Sequence, residues 1–297
     1  MTERPTARYS RTLPALALCL NALVWGTSWW PLRYFERLGL HPLWTTALVY
    51  AAVVIVIVLL RPRAVQQVLR APALWLLVLA AGTTNATFNW AMVIGDVVRV
   101  VLLFYLMPVW AVLLARLLLN EPITRSAALR VALGVAGAAV VLWPAGAGLE
   151  ALPLPRSLAD WLGLVGGLSF ALNNVMLKRE SHRPEEGRAL AMFVGGAVVS
   201  AVIALALQGA VPLPPAPALA WVLPVLVMAV LFGLGNLALQ YGAGRLPANV
   251  TAIVMLTEVV FASASALALG SAQLTTQALL GGALILLAAV LAAREPH

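Results

Sequence analysis

The segment GTTNATFNW, residues 82–90, returns in altered form 151 residues later as GLGNLALQY, residues 233–241. Each copy sets two amides four residues apart, Asn85 with Asn89 and Asn236 with Gln240, and follows them with an aromatic, Trp90 or Tyr241. Residues four apart share one face of a helix, so each copy is expected to present a pair of hydrogen-bonding heads. The surroundings say what those helices are dissolved in. The 297-residue chain is 62% hydrophobic and 10% charged, with a mean hydropathy of +0.95. That composition lies outside the range of soluble domains and reads as an all-α integral membrane protein.

A spanning helix needs roughly 20 apolar residues to cross a hydrocarbon core of about 30 Å. Ten stretches meet this at about 12–32, 42–60, 73–94, 97–119, 126–143, 159–177, 188–207, 218–240, 247–269 and 275–293. Charge, Pro and Gly punctuate the gaps: RPRAVQQVLRAP at 61–72, NEPITRS at 120–126, KRESHRPEEGR at 178–188 and PLPPAPA at 212–218. None of the gaps is long enough for a soluble domain. The basic N-terminus precedes an apolar run in the manner of a signal peptide, but the run continues from Leu13 to Leu32. It carries Trp25, Trp29 and Trp30 where small residues would mark a cleavage site, so it reads as a retained helix. The single cysteine, Cys19, lies inside that run and has no intrachain partner for a disulfide.

Basic residues collect on the cytoplasmic side of a membrane protein. With the N-terminus inside, 15 of the 19 Lys and Arg residues fall in or near cytoplasmic segments, and only Arg33, Arg37, Arg99 and Arg156 fall outside. Both termini are therefore expected in the cytoplasm. The net charge of +8 follows from this topology; the basic residues form no patch interleaved with aromatics, so no nucleic-acid partner is expected.

Five spans in each half is an odd number, so the halves, residues 1–146 and 147–297, must lie upside down relative to each other. Spans one and six support the pairing: LVWGTSWWPLR from Leu23 matches LSFALNNVMLK from Leu168, setting Trp25 against Phe170, Ser28 against Asn173 and Arg33 against Lys178. Two inverted five-helix repeats around a central cavity form an architecture of alternating-access transporters, whose site lies near the midplane between the repeats.

The phrase LMPVWAVLLARLLLNEPIT, residues 106–124, is similar to the fourth-span signature of EamA-type members of the drug/metabolite transporter superfamily. Within that superfamily the chain most resembles the YddG-type exporters of aromatic and other neutral amino acids. The resemblance implies a ten-helix carrier in a bacterial inner membrane that moves small metabolites outward. The second half departs from the pattern: Glu258 of LTEVVFASASALALGSAQLT stands where a proline is expected, and Ser271-Ala272 stands where the terminal Glu should be.

Candidate binding residues follow from depth and spacing. Asn85, Asn89, Asn236 and Gln240 are expected to converge on the cavity, although a single amide inside a span serves equally well as glue between helices, worth about 1 kcal/mol. Trp25, Ser28 and Asn173 lie on the matched faces of spans one and six. Tyr105 offers a ring and a hydroxyl, or is satisfied within the protein. Pro108 leaves the Phe104 carbonyl without its helical partner, which marks either a hinge or a polar contact point. Interfacial belts account for Trp29, Trp30, Trp44, Trp75, Trp143, Trp161 and Trp221, and Gly26, Gly82, Gly166, Gly167, Gly195, Gly196, Gly233 and Gly235 are expected at close helix contacts.

Glu258 is the most informative residue. It lies 11 residues beyond Pro247, about 16 Å along a helix and so near the bilayer centre. A charged carboxylate there costs at least a few kcal/mol, so it must face protein or water. No Lys or Arg is expected at that depth, which leaves a proton, the ammonium of a substrate, or each in turn as its counter-ion. The alternative is a neutral acid that bonds helices together. Catalysis is not expected. His41, His182 and His297 fall in loops or at the end, Asp96 and Asp160 at outer span ends, and no metal cluster, cofactor motif or nucleotide motif is present. The partners implied are a small-molecule substrate and the lipid bilayer; the sequence leaves the oligomeric state open, and a monomer fits it.

Overall fold

Prolines and short polar caps decide where the helices begin. Pro42 opens one helix behind His41 and Pro72 opens another, where the missing N–H is one that no helix would use. Ser157 and Asp160 form a reciprocal capping box, and Asp96 and Thr124 each accept a backbone N–H from the first turn that follows. The computed structural model describes residues 12–120, 123–143, 154–243, 245–246 and 254–293, with the backbone alone at residues 119, 240, 243, 292 and 293. Among the described residues the secondary structure is helical throughout, with no strand.

The helices, in chain order, are α1 (Thr12–Thr27), α2 (Trp29–Arg37), α3 (Pro42–Leu60), α4 (Arg63–Leu69), α5 (Pro72–Ile94), α6 (Val97–Phe104), α7 (Met107–Leu119), α8 (Arg125–Leu142), α9 (Leu158–Arg179), α10 (Glu185–Ala206), α11 (Leu219–Ala243), α12 (Thr257–Ala268) and α13 (Thr276–Ala293). Seven stretches are long and apolar enough to cross a bilayer: Thr12–Arg37, Pro42–Leu60, Pro72–Ile94, Val97–Leu118, Arg125–Leu142, Glu185–Ala206 and Leu219–Leu239. The sequence leads to ten. Of the other three, α9 has the length but carries Asp160, Asn173, Asn174, Lys178 and Arg179. The apolar stretches Thr257–Ala268 and Thr276–Leu291 are shorter. The beginning of the ninth expected span, 247–253, and residues 144–153 lie outside the described residues. Outward-facing side chains are apolar, with Leu59 76%, Leu117 73% and Leu219 78% exposed, as a hydrocarbon solvent requires.

The halves interlock through α5, which packs against both α9 and α10. Two glycines make the α5–α10 crossing close. A Cβ on Gly82 would run into the Gly195 carbonyl and one on Gly195 into the Val78 carbonyl, so the backbones touch where any side chain would part them. A second crossing joins α8 to α13, where a Cβ on Gly137 would lie 2.7 Å from the Gly281 oxygen and one on Gly281 2.6 Å from the Gly137 oxygen. Gly233 is not a contact glycine: a Cβ there would meet nothing within 4 Å.

The end of the bundle that carries residues 38–41, 95–96 and 154–157 holds a buried cluster that includes Trp29, Met92, Val97, Leu103, Ala266 and Ile285. Trp29 is thus not an interfacial residue: it is 1% exposed, and its indole N–H donates to Ser265 Oγ at 2.9 Å. Trp221 is likewise buried, donating to the Ala216 carbonyl at 3.2 Å, whereas Trp30, Trp75 and Trp161 are exposed. Arginines tie this end together. Arg33 donates to the Met92 and Gly95 carbonyls at the C-terminus of α5, at 3.2 and 2.6 Å. Arg99 grips both oxygens of Asp160 at 2.6 and 3.0 Å and the Val141 carbonyl at 2.7 Å. Burial holds His41 below the ordinary histidine range, so its neutral ring accepts the Leu43 N–H at the start of α3.

Candidate functional site

A cavity of about 700 Å³ occupies the other half of the bundle. It lies among the later turns of α9, α11 and α13, the early turns of α7 and α10, and the middle of α1 and α5. Its size is that of a metabolite site. Two groups of aromatic rings wall it. In one, Trp25 stacks on Phe232 with centroids 4.5 Å apart, Tyr50 meets Phe232 edge-on at 6.0 Å, and Phe193 leans on Tyr50 at 5.4 Å. In the other, Phe104 is held between Phe88 at 4.6 Å and Phe170 at 5.3 Å, with Tyr105 at 6.1 Å.

The polar residues divide by what they already bond. Asn85 lines the cavity but is engaged on both sides: its Oδ1 accepts a short hydrogen bond from the Tyr50 hydroxyl and its Nδ2 donates to the Ala81 carbonyl at 2.7 Å. Asn21, on the same wall, donates to the Gly235 carbonyl at 2.8 Å and so joins α1 to α11. Asn173 donates to Asn174 Oδ1 at 3.5 Å, and both line the cavity from α9, as Asn236 does from α11. Asn89 does not join this group. It is 0% exposed, outside the lining, and donates to Thr46 Oγ at 3.1 Å, so the second amide of the first pair bonds α5 to α3. Ser28 is also outside the lining, its hydroxyl spent on the Trp25 carbonyl at 2.7 Å. The side chain of Gln240 lies outside the described residues. The cavity thus brings together Trp25, Asn85, Tyr105, Pro108, Asn173, Asn236 and Glu258 from the residues singled out in the sequence. Tyr50, Phe193 and Phe232 carry no polar or spacing signal within their apolar runs and emerge only from the packing.

Both halves break a helix at the cavity. The first break lies between α6 and α7 at Tyr105 and Leu106, with Pro108 the second residue of α7. The second lies at Leu256, with Glu258 the second residue of α12. The proline and the acid therefore occupy the same place in the two copies. The Phe104 carbonyl that Pro108 leaves without a helical donor abuts α9, where a Cβ on Gly167 would come 2.5 Å from it.

Glu258 is 8% exposed and is the one charged side chain in the cavity lining among the described residues. Its Oε2 accepts the Tyr105 hydroxyl at 3.1 Å, and it sits in the first turn of α12, at the positive end of the helix dipole. From the sequence alone this acid has no counter-charge in the protein. The fold supplies two partial ones, a helix terminus and a phenol, that only the break at Leu256 brings into place. No group of three or more His, Cys, Asp or Glu able to hold a metal is present among the described residues.

The profile of the EamA-like transporter family matches twice, over residues 12–143 and 157–294, once for each half. Among solved structures, one crystal structure is similar over 95% of this chain and 97% of its own, at 19% identity and a TM-score of 0.59, a likeness that shows the fold alone. No curated protein matches the sequence. With both halves matched across nearly the whole chain, the protein belongs to the EamA-like transporter family, multi-pass membrane transporters of small solutes rather than enzymes.

Proposed function

We propose that the protein exports small metabolites, foremost aromatic and other neutral amino acids, across the bacterial inner membrane by alternating access. In this reading it spans the membrane ten times as two inverted repeats, residues 1–146 and 147–297, with both termini in the cytoplasm. The observation that carries the proposal is the cavity lined from both halves by two groups of aromatic rings and by one acid, Glu258. The rings take an apolar or aromatic side chain, Glu258 takes the ammonium, and Asn173, Asn236 and Gln240 take the carboxylate. Asn89 bonds α5 to α3, and Ser28 caps the end of α1 on the Trp25 carbonyl. With the basic loops inside, the cavity faces the cytoplasm and the packed end faces out, which is the loading state of an exporter.

Counterflow in proteoliposomes tests this directly. Labelled aromatic and neutral amino acids are expected to exchange several-fold faster than acidic ones. A specific observation favours a second reading, export of lipophilic cations: no Lys, Arg or His lines the described cavity to hold a carboxylate. Exchange of a labelled lipophilic cation with none of the amino acids would replace the first reading with the second.

The orientation has its own test. Cysteines placed at Gln66 and Ser181, in the basic loops, are expected to resist an impermeant thiol reagent added outside intact cells and to react once the membrane is opened. Ready labelling in intact cells would invert the topology.

A further inference from the structure

Tyr105 lies in the helix break of the first half, and its hydroxyl reaches the break of the second. That hydroxyl is 3.1 Å from Glu258 Oε2 and 3.2 Å from the Met255 carbonyl. It has one proton to give, so it cannot serve both acceptors at once. The Met255 carbonyl depends on it: in an unbroken helix the Val259 N–H would bond to Met255, but here that N–H turns to the Leu256 carbonyl at 3.1 Å. We propose that Tyr105 is a positioning residue whose hydroxyl alternates between Glu258 and the Met255 carbonyl as the carboxyl loses and gains a proton. This rests on Glu258 being a group that changes protonation during transport.

The exchange follows from hydrogen-bond strength. When Glu258 is ionised, the charge-assisted bond takes the Tyr105 proton and the Met255 carbonyl is released. When Glu258 is protonated, its own O–H donates to the Tyr105 oxygen, and the phenol donates onward to Met255. The proton gained or lost by the carboxyl passes to or from cavity water, and the phenol stays neutral throughout. A protonated Glu258 therefore leaves Tyr105 tied to both the carboxyl and the Met255 carbonyl, while an ionised one leaves it tied to the carboxylate alone. Tyr105 joins the two breaks in either state, so the charge of one acid sets which group at the second break holds it.

Other groups near Glu258 do not compete for this role. Of the helices packed on α12, α1 presents the backbone of Gly26, with Cys19 its only titratable side chain two turns away. Helix α6 carries Arg99, which is bound to Asp160 at the packed end. The other titratable group lining the described cavity is Tyr50, engaged with Asn85.

Infrared titration of the purified full-length protein tests the exchange without relying on transport. The carboxylic C=O band of Glu258, identified by its loss in Glu258→Gln, is followed against pH in the wild type and in Tyr105→Phe. The variant is expected to keep the band and move its midpoint to higher pH by about one unit, a ~10-fold change in proton affinity, because the ionised form has lost its charge-assisted bond. An unmoved midpoint overturns the proposal. Should the variant fail to fold, the unaltered protein decides. With its seven methionines labelled by 13C at the carbonyl, one carbonyl band should shift together with the carboxyl band, and no shift overturns the proposal. A midpoint that moves in the infrared while the pH profile of transport stays fixed keeps the exchange and removes Glu258 from transport.

Discussion

Glu258→Gln is expected to leave the protein folded and to lower net transport by about 10- to 100-fold, the range of a charge-assisted hydrogen bond of roughly 1.5–3 kcal/mol. The amide keeps the size of the acid and can still bond the Tyr105 hydroxyl, but it carries neither a charge for an ammonium nor a proton that comes and goes. What transport remains should lose its dependence on pH. Glu258→Ala should do worse, because it also removes one of the two acceptors of Tyr105 and empties the buried space the side chain fills, visible as a lower yield of monodisperse protein. Reconstituted transport across pH for wild type and both variants separates a transport role from a structural one. If Glu258→Gln transports at the wild-type rate with the wild-type pH profile, the acid only bonds helices.

The second large effect is expected at the α5–α10 crossing. Gly195→Ala places a methyl against the backbone of Val78 and Gly82, with 2.9 Å to the Gly82 nitrogen, and neither helix has a side chain it could swing aside there. Lipid tails are as apolar as the helix surfaces, so association in the membrane rests on close packing, and an overpacked contact costs about 1–3 kcal/mol. The melting temperature of the detergent-solubilised protein should fall by several degrees, and further for Gly195→Val. Gly233→Ala is the matched control: with nothing within 4 Å of the new methyl, it should be neutral or stabilise by up to about 1 kcal/mol through helix propensity. Equal losses at the two positions would mean that the crossing is not what holds the halves together.

The contrast between these two glycines shows how the sequence reading divides. Both lie in apolar helices within two residues of another glycine, and that pattern does not tell a contact glycine from one facing open space. Helix packing decides that, because it depends on which face a neighbour approaches. The same holds for the amide pairs. Their spacing puts Asn85 and Asn89 on one face of α5, but a face about 100° wide is broad enough to meet both a cavity and a neighbouring helix. Asn85 reaches the cavity wall, and Asn89, a turn further on, meets Thr46. Trp29 misleads for a related reason: a tryptophan near a span end fits an interfacial belt by depth alone, yet α12 lies over it and Ser265 takes its N–H.

What the sequence determined by itself rests on composition and repetition. A chain that is 62% hydrophobic and 10% charged has to fold in lipid, and in lipid the backbone has to satisfy its own hydrogen bonds, which leaves helices for runs of this length. The returning amide pattern, with Glu258 at the place of Pro108, required no coordinates to be seen. The tertiary structure alone decided which polar groups share a cavity and what faces the acid. Those contacts lie between Tyr105 and Glu258, 153 residues apart, and between Asn21 and Gly235, 214 apart. Local periodicity carries no information about such distant pairs, because they form only when separate helices close on one another.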